Sequence, residues 1–317
     1  MRRDAVIGGG LAAAAFTWWG LVPVYWLAVD DVPGIEMIAH RVVWALPVVL
    51  WLAARRRRVG ELVAALKDRA HRRLLVSSAL LLSVNWLVFI EAVRHRRLLE
   101  ASLGYYINPL VNVLLGMVFL NERLTRAQWV AVALAGTGVL WLAISVGTIP
   151  WIGLSLAATF GVYGLLRKRA GVDALVGLPV ETMLLAPLAL AWIAALLWRG
   201  ESATLHEDAL HLGLVAASGP ITAFPLLWFA DAARRLRYAT LGFFQYLAPT
   251  GQFLVAVFLF GEAFTRDRAI SFAFIWVAVA VYVVDALRSM RAEASAPGVS
   301  SAGESASESP SFREEIP

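Results

Sequence analysis

The chain has 317 residues, of which 60% are hydrophobic and 16% charged, with a mean hydropathy of +0.69. A soluble domain carries about 25% charged residues, so this composition excludes an ordinary soluble globule. Without cysteine there is no disulfide and no thiolate metal site, and the histidines (His40, His71, His95, His206, His211) form no His-Glu-x-x-His pair, so no metal or other cofactor is expected.

The apolar residues gather in runs of about 20, the length a helix needs to cross roughly 30 Å of hydrocarbon. Taken in chain order they fall at residues 5–29, 35–54, 74–93, 101–120, 128–146, 150–166, 177–198, 210–230, 239–260 and 269–287, which predicts ten transmembrane helices and an all-α integral membrane protein. The runs are apolar on every side and lack the alternation of a membrane barrel. The first begins after Arg2 and Arg3 like a secretory signal, but continues through Trp18, Trp19 and Tyr25 to Val29 and reads as a retained span.

The basic residues sit in short loops between the runs, which explains the isoelectric point near 9.9 without nucleic-acid binding. With a cytoplasmic N-terminus the inside segments hold 20 Lys and Arg and the outside loops 6. That bias predicts both termini in the cytoplasm of a bacterial inner-membrane protein; the loop with Arg94, Arg96 and Arg97 is a local exception. Residues 291–317 turn to Ser, Ala, Gly, Pro and Glu and are expected to be a disordered tail.

An internal repeat is the most informative feature. Ala101-Ser-Leu-Gly-Tyr-Tyr resembles Ala239-Thr-Leu-Gly-Phe-Phe, and Tyr106-Ile-Asn-Pro109 resembles Tyr246-Leu-Ala-Pro249; Glu122 and Thr125-Arg126 match Glu262 and Thr265-Arg266. Spans four and nine are then equivalent, which predicts two five-helix halves, residues 1–147 and 148–290. Five being odd, the second half enters the membrane upside down, as in many carriers with alternating access to a central cavity. Pro109 and Pro249 are matched helix breaks, and a proline in a membrane helix frees a carbonyl that protein or a wet cavity must satisfy.

Ionisable groups within the spans need a reason, since each costs at least about 2.5–3.5 kcal/mol at the bilayer centre. Glu36 and His40 share a helix face, with Arg41 about 100° further round. His40 and Arg41 are candidate receptors for a substrate carboxylate or other anion, and Glu36, Glu181 and Glu91 are candidates for proton exchange. Asn85, Trp86, Tyr105, Tyr106, Asn108, Asn112, Thr222, Phe243, Phe244, Gln245, Tyr246 and Gln252 are candidate lining, the polar ones hydrogen-bonding a solute and the aromatic ones packing on its body. Polar residues also serve as interhelical glue, and Ala131, Ala135, Gly136 and Gly138 permit close helix approach, either within the chain or in a homodimer.

Glu36-Met-Ile-Ala-His-Arg41, Asn85-Trp86, Leu99 to Asn112, Val162 to Lys168, Glu181-Thr182 and Thr240 to Tyr246 closely resemble the RarD proteins, of the EamA branch of the drug/metabolite transporter superfamily. The resemblance covers residues 5–288. It implies two inverted five-helix repeats, with a cavity walled by helices one to four and six to nine and supported by helices five and ten. It also implies a bacterial plasma-membrane location and a name tied to chloramphenicol sensitivity, and marks Glu36, His40, Arg41, Asn85, Trp86, Tyr105, Tyr106, Asn108, Glu181, Gln245 and Tyr246 as motif positions. Glu91 departs from the pattern, where an aromatic residue is expected. The reading is therefore a secondary transporter, not an enzyme, exporting a small organic metabolite or drug. Its rivals are a non-transporting sensor or assembly protein that keeps the fold, and a passive channel.

Overall fold

The computed structural model describes residues 2–121, 123–204, 208–236 and 244–295. The described chain is helical: α1 Arg2–Leu27, α2 Gly34–Arg55, α3 Val59–Lys67, α4 Arg69–Arg94, α5 Leu98–Leu120, α6 Arg126–Val146, α7 Trp151–Ala170, α8 Ala174–Arg199, α9 Ala209–Arg235, α10 Leu247–Leu254 and α11 Arg266–Ser295. A π-helical turn, Val255–Leu259, prolongs α10. Eight of these helices are long and apolar enough to cross a membrane, and two shorter apolar stretches, Trp151–Arg167 and Leu247–Leu259, complete the set.

Short polar side chains set where the helices start, by accepting from backbone N–H groups that have no partner in the first turn. Asp68 accepts from His71 N at 2.8 Å, Asp173 from Leu175 N at 2.7 Å and Asp208 from His211 N at 2.8 Å. Thr125 and Gln128 form a reciprocal capping box at α6. Gly147, Gly171 and Gly200 end α6, α7 and α8 in the left-handed conformation.

Two features differ from the sequence expectation. The nine-residue α3 is a separate helix between the second and third spans, its Leu62 and Ala65 buried among Ala53, Leu75, Val176 and Val180. Helix α11 runs to Ser295, into the segment expected as tail, because Arg291-Ala-Glu-Ala continues a good helix-forming sequence; residues 296–317 lie outside the described residues. So do Glu122, His206, Phe243 and residues 239–242 of the repeat motif, which leaves the ninth span described only from Phe244.

Packing brings distant segments together in pairs. Helix α5 packs on α7 and α10 on α1; α4 packs on α7 and α9 on α1; α2 lies against α8 and α9, and α4 against α8; α6 pairs with α11, and α5 with α10. Exchanging α1, α2, α4, α5 and α6 for α7, α8, α9, α10 and α11 maps each of these contacts onto another of the set. The related crossings at α5/α7 and α1/α10 both use glycines: a Cβ on Gly104 would lie 2.4 Å from Gly153 O, and one on Gly251 would lie 2.8 Å from Gly20 Cα. The backbones touch there, which is how helices gain packing contacts when the surrounding lipid offers no hydrophobic drive.

Ala131 and Ala135 of α6 are buried, and a Cβ on Gly138 would sit 2.9 Å from Ser271 O of α11, so these small residues serve contacts within the chain; Gly136 alone of the four faces open space. The outer surface is apolar, with Ile144, Phe258 and Trp198 at 80%, 79% and 88% exposure, as suits a molecule whose solvent is lipid.

The α5/α7 crossing tests this packing. Gly104→Leu should destabilise the protein by about 1–3 kcal/mol, seen as a lower thermal midpoint in detergent, whereas Gly136→Leu should stay within about 0.5 kcal/mol of the parent.

Candidate solute site

The N-terminus of α1 defines a near face; the far face is where α1 ends. Inter-helix bonds gather on the far face. Arg94 Nε donates to Asp30 O at 2.8 Å. Glu36, at the start of α2, accepts from Ser202 Oγ at 2.6 Å and from Ala203 N at 3.1 Å. Glu262, between α10 and α11, accepts from Leu98 N and Leu99 N and so caps α5. Burial raises the Glu262 carboxyl above the ordinary carboxylate range, against the two N–H groups that favour its charged form. Together with the core around Trp26, Val29, Met37, Val93 and Phe260, these bonds seal the far face.

Beneath the seal lies a cavity between α2, α4, α8 and α9, lined by Arg41, Val42, Ala45, Val49, Ala79, Leu82, Trp86, Leu178, Glu181, Thr182, Leu185 and Thr222. It has room for about one water molecule. Arg41 lies about 10 Å from the far end of α2 by helix rise, and Val49 and Leu178 carry the lining on toward the near face.

Arg41 is 9% exposed, and its Nε is buried without a hydrogen-bond partner. Its Cζ stands 3.2 Å from the centroid of the Trp86 ring and 5.7 Å from that of Trp26. Among the described residues no carboxylate lies within ion-pair distance of it. A desolvated cation–π contact is worth about 2 kcal/mol or more, less than or close to the roughly 2.5–3.5 kcal/mol cost of a charge at the bilayer centre. The guanidinium is thus held in the cavity with hydrogen-bonding capacity unspent, which suits an anion.

Other side chains hold this arrangement. Asn85 Nδ2 donates to Leu156 O at 3.0 Å and Thr159 Oγ1 at 2.8 Å, and Asn85 Oδ1 accepts from the Tyr105 hydroxyl at 3.2 Å, so Asn85 ties α4, α5 and α7 together. Tyr25 donates to Leu214 O at 2.8 Å, joining α1 to α9. His40 Nε2 is 3.8 Å from Glu36 Oε1, beyond hydrogen-bond reach, and has no other partner.

Residues 8–144 match the EamA-like transporter family. An uncharacterized transporter of Vibrio cholerae is 46% identical over 90% of this chain and 95% of its own length. The RarD protein of Escherichia coli is 45% identical over 89% of this chain and 95% of its own. The chain belongs to the RarD family of EamA-like transporters. The chloramphenicol-sensitive protein RarD of Pseudomonas aeruginosa is 36% identical over 90% and 96%. A solved crystal structure at 21% identity, covering 89% of this chain and 99% of its own with a TM-score of 0.58, shares the fold. The chain is a multi-pass membrane transporter protein.

Sequence candidates sort into four groups in space. Arg41, Trp86, Thr222 and Glu181 line the cavity, supported by Asn85 and Tyr105. Tyr106 and Tyr246 instead stack on each other, centroids 6.5 Å apart, beside Phe272 and Trp276 of α11, with the Tyr106 hydroxyl 2.7 Å from Thr250 Oγ1. Asn108 is fully buried beside Pro109 with neither amide atom partnered; the Gln245 backbone carbonyl accepts from Ala248 N at 3.3 Å, and Pro249 is buried in α10. Glu91 sits on the far rim, bonded to Arg94 at 3.0 Å and paired with His95 at 3.3 Å. Sequence reasoning missed Tyr25, Trp26, Ser78 and Arg167. The first two followed the visible Pro23 break, whereas Arg167 read as a loop charge at a span end.

The chain lacks cysteine, so a single Met37→Cys, at a position 1% exposed under the seal, reports on it directly. Adding Glu262→Ala should speed its reaction with a water-soluble maleimide several-fold in membranes.

Proposed function

We propose that this protein exports a small organic solute bearing a carboxylate or similar anionic group across the bacterial inner membrane, binding it at Arg41. The observation that carries this reading is the buried, unpaired guanidinium on the cavity wall. Alternating access would come from two inverted repeats, residues 1–147 and 148–290, rocking about the cavity. The exchange symmetry of the helix contacts supports that division, and the excess of Lys and Arg at the near face supports a cytoplasmic location for it. A cavity whose lining extends toward the near face under a closed far face fits loading from the cytoplasm. The name of the Pseudomonas relative makes chloramphenicol one solute to try.

Of the three carboxylates considered for proton exchange, Glu36 has both oxygens bonded across the seal and Glu91 lies on the rim. Glu181 lines the cavity with Oε2 unpartnered, and we assign coupling to it.

The test is flux in reconstituted liposomes, with radiolabelled carboxylate metabolites and chloramphenicol. Saturable uptake with counterflow is expected, falling at least about tenfold in Arg41→Ala, which removes a charge-assisted contact. An imposed pH gradient should change the initial rate several-fold; an unchanged rate would mean facilitated transport. Folded protein that moves no solute would favour a sensor or assembly role, and flux without saturation a channel.

A further inference from the structure

We infer that the cavity holds a second, cation-accepting subsite at Glu181, and that the solute is an elongated zwitterion of about dipeptide length. This rests on the Arg41 reading above.

Glu181 is 2% exposed. Its Oε1 accepts from Ser78 Oγ of α4 and has Arg167 Nη1 of α7 at 3.5 Å. Arg167 is shared with backbone carbonyls, its Nη2 reaching Val172 O at 3.3 Å and Asp173 O at 3.4 Å. Oε2 is buried and has no partner. The position is a built one: Gly177 precedes Glu181 by one turn of α8, and a Cβ there would overlap the Arg167 guanidinium. Tyr163 of α7 and Arg41 of α2 are the other titratable groups that face this region. Among the described residues, α3 and α4 bring no charged group into contact with Glu181. One carboxylate oxygen is thus left to accept from something that enters the cavity, and a primary ammonium suits it, as does the exchanged proton assigned above.

Length follows from α4, which touches both charges. Ser78 marks Glu181, and Trp86 marks Arg41. Eight residues of helix separate them, about 12 Å along the axis. A charge-assisted hydrogen bond at each end takes up about 2.8 Å, leaving about 6–7 Å for the solute between its ammonium and its carboxylate. Two extended residues span about 7 Å. A single amino acid falls short and a tripeptide overshoots. The intervening wall is apolar, with Val42, Leu82 and Leu185, and has the hydroxyls of Thr182 and Thr222 to meet a peptide group. The closed cavity must widen to admit such a solute, as alternating access requires.

Calorimetric titration of the purified full-length protein with alanine, dialanine, trialanine, N-acetyl-dialanine and dialanine amide tests this. Dialanine should bind at least about tenfold more tightly than N-acetyl-dialanine, which lacks the ammonium, and more tightly than alanine or trialanine. In Glu181→Gln the ratio of dialanine to N-acetyl-dialanine affinity should collapse toward one. Equal wild-type affinity for those two ligands, or a ratio that survives in Glu181→Gln, would overturn the cation subsite. An affinity maximum at alanine or trialanine would overturn the length. The amide separates the two readings: if it binds as well as dialanine, carboxylate recognition at Arg41 fails and this inference with it; if it binds weakly while N-acetyl-dialanine equals dialanine, only the subsite fails. Absence of binding by any of the five would overturn the zwitterion.

Discussion

The arrangement turns on a cation, Arg41, that is held in the membrane interior without a counter-ion among the described residues. Arg41 is placed where a charge is expensive and where the neighbouring groups offset only part of that cost. Trp86 takes the face of the guanidinium, a contact that leaves its edge, where the N–H donors lie, unspent. In the proposed reading, a carboxylate resident at Arg41 would have to be displaced by the solute before it could bind. The surrounding polar side chains serve position: Asn85 joins α4, α5 and α7, and through the Tyr105 hydroxyl it holds the aromatic wall beside the cation.

Carboxylates illustrate how one residue type takes different tasks by environment. Glu36 and Glu262 spend their oxygens on serine and backbone donors from the other half of the chain and close the far face. Glu91 is paired with Arg94 of its own helix and with His95 at that helix's C-cap. Glu181 retains an unused oxygen inside the cavity. In the proposed cycle these far-face bonds are the ones that would exchange with water when that face opens. The glycine crossings at Gly104/Gly153 and Gly20/Gly251 also join the two stretches of chain, there by direct backbone contact.

Much of the site was legible as single residues. An arginine seven residues into an apolar run stands out by cost alone, and Asn85-Trp86 by depth. Their association was not legible, since Arg41 and Trp86 lie on helices separated by α3, whose existence the hydropathy did not announce. Tyr106, Asn108 and Tyr246 flank the matched prolines and so drew attention, yet Tyr106 and Tyr246 face α11 and the aromatic cluster of Phe253, Phe272 and Trp276. One-dimensional proximity to a helix break gives depth in the membrane but not the face of the helix.

The sequence by itself determined the solvent and the helices, because apolar length and charge placement are properties of local stretches, and it carries the repeated motifs on which the proposed halves rest. It also marked which buried charges needed an explanation. Tertiary structure decided which of them have partners. Whether Arg41 is paired or free, and whether Glu36 or Glu181 keeps an open oxygen, depends on side chains more than a hundred residues away, such as Ser202 and Ser78. Hydrogen bonds and cation–π contacts act over a few ångströms, and only the packing of helices brings those distant groups that close.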